Sequence, residues 1–232
     1  MCPGRCLNPL KKPVVDYREF RLSRLNEPRF SHLKLLFGWI GYFALYFLTE
    51  NIIPAEACYP VHCFLDDLIP FCEFFIVPYV LWYVWIVASL LVFALYDIES
   101  FCRLQKYIII TQVAAMVVYI VFPTRQDLRP EVFPRENFFT WILSLLYTFD
   151  TNTGVCPSLH CAYSIGIASV WLKRKQSHWW TKAFMVFAAF MVCISTMFVK
   201  QHSAVDFFAA IPVCILAEYL VFHLPKKGKQ HA

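Results

Sequence analysis

Residues 200–206 read Lys-Gln-His-Ser-Ala-Val-Asp, which puts His202 and Asp206 four positions apart. Positions i and i+4 share one face of a helix, so the Asp206 carboxylate can hold one ring nitrogen of His202. That contact fixes the tautomer and leaves the second nitrogen free to attack an electrophile or to take a proton. Two further sites carry polar chemistry inside an apolar chain: Pro157-Ser158-Leu159-His160 and Arg129-Pro130. Together, Arg129, Lys200, His160, His202 and Ser158 suit a phosphate group. A guanidinium offers a planar fork and an ammonium a point charge. The helix N-terminus expected at residues 157–160 adds unpaired N–H donors. One histidine can attack phosphorus to form a phosphohistidine. The other can protonate the departing alkoxide and then activate water. No metal or other cofactor is required if cations and backbone donors stabilise the pentacovalent oxygens.

Plainer readings stand beside these. His202 and Asp206 alone fit a structural pair capping a helix. Ser158 fits a helix cap, and no Gly-x-Ser-x-Gly elbow surrounds it as a serine hydrolase would need. A zinc site from His160, His202 and Asp206 is conceivable, but the neighbouring arginine and lysine would repel a cation. Arg125 reads equally as a phosphate ligand or an interfacial anchor, and Arg135 as an anchor. Ser195 and Thr196 read as back-bonding within a helix or as touching substrate. Glu218 is an acid inside an apolar run, where a hydrogen-bonded or snorkelling role is expected.

The elements that must position these residues are membrane helices. Of 232 residues, 59% are hydrophobic and 16% charged, with a mean hydropathy of +0.53. Soluble domains carry about 25% charged residues. A hydrocarbon core about 30 Å thick needs roughly 20 apolar helical residues. Six runs approach this: 33–49, 71–96, 107–122, 157–172, 180–199 and 204–223. The fold class expected is an all-α bundle of six transmembrane helices over residues 33–223. A basic arm (1–32) precedes it and a basic tail (224–232) follows. The first 30 residues show no apolar core or small-residue cleavage site, so the first span is expected to direct insertion. A short amphipathic helix is expected near 16–25, a kink at Pro78 in the second span, a loop at 97–106, and a surface helix over 136–149 in the long loop 123–156. The ten cysteines read mostly as small apolar fillers, with Cys58 and Cys63 the one pair close enough in a loop to consider joined.

Six spans leave both termini on one side. That side holds eight Lys/Arg in residues 1–34, two in 97–106, four in 173–182 and three in the tail; the other side holds only Arg125, Arg129, Arg135 and Lys200. The bias makes the terminal side cytosolic, and the formal charge of +5 then encodes orientation rather than nucleic-acid binding. Arg129, His160, Lys200 and His202 all fall on the outer face, where they can share one pocket. The expected setting is the plasma membrane. The expected partners are a phosphate-bearing substrate and membrane lipids, with a second copy of the chain as a candidate.

These sites resemble the signature of the type 2 phosphatidic acid phosphatase superfamily, whose pocket is shared with vanadium haloperoxidases. The signature reads Lys-x6-Arg-Pro, Pro-Ser-Gly-His and Ser-Arg-x5-His-x3-Asp. Arg129-Pro130 matches the end of the first block, Pro157, Ser158 and His160 the second, and Ser195, His202 and Asp206 the third. The resemblance covers about residues 105–222. It implies His202 as nucleophile, Asp206 as its orienting partner, His160 as general acid, and Arg129 and Ser158 as phosphate ligands. The family lysine falls at Phe122, with Arg125 three residues on as a substitute. The family glycine is Leu159, and the family arginine is Thr196, with Lys200 one turn later to supply charge. The second block without its glycine is also similar to the inositol phosphorylceramide synthase branch. The resemblance therefore implies that the substrate is a lipid phosphate, and that the chain is a metal-independent lipid phosphatase acting on a phosphomonoester or pyrophosphate, or a phosphotransferase. A non-catalytic anion transporter is the reading from another class.

Overall fold

Asp97 alone separates two long helices in the computed structural model, which describes residues 13–224. Its backbone N–H closes α3 (Ile76–Tyr96) on Phe93 O, and its carboxylate caps α4 (Ile98–Val121) by accepting from Ser100 N at 3.1 Å. The expected loop at 97–106 is therefore helix, because Arg103 pairs with Glu99 at i,i+4 (2.8 Å) and needs no loop to reach water. Pro78 falls in the first turn of α3, where a missing N–H costs nothing, so it does not kink the span.

The remaining helices are α1 (Phe37–Ile52), α2 (Phe64–Leu68), α5 (Phe138–Phe149), α6 (Leu159–Lys173), α7 (Trp179–Phe198) and α8 (Ala204–Glu218). A two-residue parallel pair, β1 (Tyr59–Pro60) with β2 (Thr124–Arg125), ties two loops together. The fold is all-α, and five segments are long and apolar enough to cross a membrane: Ser31–Ile52, Glu73–Tyr96, Ile98–Val121, Trp179–Phe198 and Ala204–His223. This identifies an integral membrane protein by length and composition. α6 has 15 residues, about 22 Å at 1.5 Å per residue. It is the centre of the bundle, packed by α3, α4, α7 and α8 and buried on nearly every face. Gly166 lets α6 approach α4 closely, since a Cβ there would meet the Tyr107 ring at 2.5 Å.

The bundle has two distinct ends. At one, Arg174 pairs with Asp97 at 2.9 Å, and Glu218 takes Lys173 and the Ser169 hydroxyl. Glu218 is thus paired rather than bare in an apolar run. Val14 N and the Tyr17 hydroxyl bond Leu95 O and Ala94 O here, so residues 13–32 dock on this end. The helix expected near 16–25 is instead two short 3-10 turns, Tyr17–Glu19 and Leu22–Arg24. The lysines of the tail lie outside the described residues. At the other end, Ser158 N bonds Asp206 O, Tyr119 Oη bonds Pro157 O and Cys72 N bonds Phe198 O. α5 lies here with Phe138, Trp141 and Phe149 exposed and Leu143 packed beside Ile76, Tyr79 and Val199. Cys58 and Cys63 are free thiols.

Candidate active site

The starts of α6 and α8 bring His160, His202 and Asp206 to one end of the bundle. Ser203 caps α8 by accepting from Val205 N at 3.1 Å, and Asp206 closes the capping box onto Ser203 N at 3.0 Å. The same Asp206 Oδ2 lies 3.0 Å from His202 Nδ1. Ser158 caps α6, which sets His160 in its first turn. His160 Nδ1 then reaches His202 Nε2 at 3.3 Å. The result is a continuous Asp206–His202–His160 relay drawn from the first turn of α6 and from the turn that leads into α8, the two histidines being 42 residues apart in sequence. The His160 ring is held between Trp82 (centroids 4.1 Å apart) and Tyr79 (4.6 Å), both on α3.

A cavity of about 450 Å³ opens beside the two imidazoles, between α1 and α3. Its upper part is polar, with Asp150, Thr151, Thr153, Gln201, His160 and His202. Its shaft is apolar, with Trp39, Phe43, Ile86, Val87 and Leu90. Trp82 to Leu90 spans about 12 Å of helix. A polar head above an apolar slot matches a lipid in shape and polarity.

The cations are elsewhere. Among the described residues no lysine or arginine lines this cavity. Arg129 donates to Gln201 Oε1 (2.9 Å), Tyr147 O (3.2 Å), Asp150 O (2.8 Å) and Thr151 O (2.9 Å), with its guanidinium over the Tyr147 ring. It fixes the Asp150–Thr151 loop and Gln201 around the relay instead of facing the opening. Lys200 occupies the left-handed position after α7 (φ 54°), a common way to end a helix. Its ammonium caps the carbonyls of Asp66 (2.9 Å) and Ile69 (2.6 Å). Arg125 bonds Asp127 (3.0 Å) and Ala55 O (2.8 Å) in the loop layer. Ser158 is fully buried as the cap of α6. Ser195 and Thr196 back-bond to Val192 O and Cys193 O.

Three residues of the site carry no signal in the sequence. Asp150 Oδ2 accepts from Tyr79 Oη (3.1 Å) and Gln201 Nε2 (2.9 Å). Burial lifts its carboxyl above the usual range, against the pull of His202, Tyr79 and Arg129. Gln201 bridges Arg129 and Asp150 immediately before His202. Asp66 is buried and accepts from Ser203 Oγ (2.5 Å), Ala204 N (2.7 Å) and Cys63 N (2.8 Å), pinning the start of α8. Burial alone would depress His202, but the Asp206 carboxylate outweighs it and holds the imidazole above its ordinary pKa. Among the described residues no three His, Cys, Asp or Glu side chains are grouped to hold a metal ion. No protein-family model, curated protein or solved structure matches the chain.

Proposed function

We propose that this chain is a membrane enzyme that cleaves the phosphate ester of a lipid through a phosphohistidine on His202. The Asp206–His202–His160 relay at the polar end of a lipid-shaped cavity carries this reading. Asp206 accepts the Nδ1 proton and leaves the Nε2 lone pair of His202 as the nucleophile. The 3.3 Å between the rings leaves no room for a phosphoryl group, so substrate binding parts them. Nε2 then bonds to phosphorus as the lipid C–O–P oxygen departs, and the Nδ1 proton of His160 passes to that oxygen. In the second half, His160 takes a proton from water, the hydroxyl bonds to phosphorus, and the P–N bond to His202 breaks. Arg129 acts as a positioning residue. Trp82 Nε1–H, buried and without a partner among the described residues, is a ready donor to a lipid oxygen.

In this reading α6 is a sixth crossing, short because the surrounding helices shield it from lipid. Both termini are cytosolic, and the relay faces the outer side of the plasma membrane. Among the described residues no lysine or arginine lines the cavity, which removes the cations on which an anion-transport reading rests. The test is product release from a panel of lipid phosphates by purified protein in mixed micelles containing chelator. Release that persists in chelator and vanishes in a folded His202→Ala variant supports the mechanism; full turnover by that variant overturns it. Adding a competing alcohol separates hydrolysis from transfer by the product formed.

A further inference from the structure

The polar end of the cavity has the wrong charge for a bare phosphate dianion. Its acidic wall residue is Asp150, and Glu50, held by the Thr153 hydroxyl at 2.7 Å, lies close behind. Both hydrogen bonds to the Asp150 carboxylate fall on Oδ2. Oδ1 accepts none from the described residues, which leaves it available to a ligand. Tyr42, Tyr46 and Tyr83 line the same opening as this carboxylate. A cavity lined by aromatic rings and a carboxylate attracts a weakly hydrated cation, and quaternary ammonium groups are ligands that aromatic faces hold well.

Resting on the phosphoryl-transfer reading above, we propose that the substrate is a lipid phosphodiester whose headgroup ends in a quaternary ammonium. The ammonium sits against Asp150 and the tyrosines. The phosphate lies at His202, and one acyl chain runs down the shaft toward Leu90. A single negative phosphodiester charge, offset by its own cation, suits a pocket that offers no lysine or arginine. His202 Nε2 bonds to phosphorus and the bond from phosphorus to the diacylglycerol oxygen breaks, with the His160 proton completing the neutral lipid. Water then releases the phosphorylated amino alcohol from His202.

The experiment compares two micellar lipids with the same diacylglycerol, one bearing a trimethylammonium-ethyl phosphodiester and one a phosphomonoester. Calorimetry with soluble trimethylammonium-ethyl phosphate runs in parallel. Wild type is expected to prefer the diester and to release the phosphorylated headgroup. Asp150→Asn is expected to lower the ratio of diester to monoester turnover by ~10-fold or more, the scale of a desolvated cation contact. Preference of wild type for the monoester, or equal loss on both lipids in Asp150→Asn, overturns the headgroup assignment while leaving phosphoryl transfer intact. If neither lipid turns over, phosphoryl transfer fails, and calorimetry decides the rest. Binding that disappears in Asp150→Asn keeps the cation site, and no binding by wild type ends it. Tyr83→Leu, on a half-exposed wall position, gives the same discrimination if Asp150→Asn does not fold.

Discussion

His160 Nδ1 lies 3.3 Å from His202 Nε2, while the opposite nitrogen of His202 lies 3.0 Å from Asp206 Oδ2. The two imidazoles therefore share one proton path before any substrate arrives, and their roles are unequal. His202 has a carboxylate behind it, whereas His160 has only ring faces on either side. In the proposed mechanism this asymmetry assigns His202 as the nucleophile and His160 as the proton carrier. Replacing His202 by alanine is expected to abolish turnover. His160→Ala is expected to lower kcat by ~10²–10⁴, the usual value of one general acid, with more activity retained on a lipid whose leaving alcohol has a lower pKa. Steady-state kinetics on two leaving groups checks this.

The pH profile reports the Asp206 contact. His202 must be neutral at Nε2 to attack, and its pKa is held above the ordinary value of about 6.5. Activity is therefore expected to rise with pH through that elevated value. In Asp206→Asn the carboxylate that outweighs burial is gone, so the acid limb should move to lower pH as the maximal rate falls. The sign for stability is the reverse. The charged His202–Asp206 pair stabilises the fold below the unfolded pKa, and that contribution fades as pH climbs through the folded one. Thermal unfolding across pH 5–9, wild type against variant, measures this second effect.

Asp66 works in the opposite direction. Burial raises its carboxyl, but the donors from Ser203, Ala204 and Cys63 outweigh it and hold the pKa below normal. Its contribution to stability is present above the unfolded value of about 3.9 and is lost as pH falls through the lower folded value. Asp66→Ala leaves a buried hydroxyl and N–H without partners, at a cost of about 1–3 kcal/mol, and should loosen the start of α8. A lower melting temperature at pH 7, with the difference from wild type shrinking toward pH 3, is the expected result.

Arg129 and Lys200 separate ligand from scaffold. Both have their donors committed to backbone carbonyls and Gln201. Arg129→Lys cannot keep four directional bonds, so kcat is expected to fall with little change in KM. Lys200→Ala should lower the melting temperature and leave KM unchanged. A rise in KM for either variant, without loss of stability, would place its charge on the substrate instead.

The close approach at Gly166 is a packing test. Tyr107 cannot swing freely from a new Cβ, because its hydroxyl holds Cys214 O at 3.2 Å. Gly166→Ala is expected to destabilise by about 1–3 kcal/mol through overpacking, although alanine is the better helix former by about 1 kcal/mol. Unfolding in detergent reads the net loss.

Hydropathy made the helices legible, and the four-residue spacing pointed to the His202–Asp206 contact, although His202 sits before the Ser203 cap and the contact is made at the helix start rather than along a helix face. α5 was legible because Phe138 and Trp141 share a face away from Leu143. The start of α4 was hidden by Arg103 and Lys106, whose charges imitate a loop although a helix surface serves them equally well. Asp150, Gln201 and Asp66 were hidden for another reason. Their partners, Tyr79, Arg129 and Ser203, lie 71, 72 and 137 residues away in sequence, and no local pattern announces such contacts. Lys200 and Arg125 read as phosphate ligands because a sequence displays charge without showing what satisfies it. In the structure, backbone carbonyls do so for both, with Asp127 also pairing with Arg125.

The central claim is covalent chemistry at His202. The most direct measurement is a rapid acid-free quench of the protein with phosphorus-labelled lipid, followed by mass mapping of the labelled peptide. We predict an acid-labile, base-stable phosphoryl adduct on His202, whose breakdown slows in His160→Ala because the general base that takes the proton from water is gone. Product formation with no adduct on His202 at any time during turnover, or an adduct on another residue, would contradict the account.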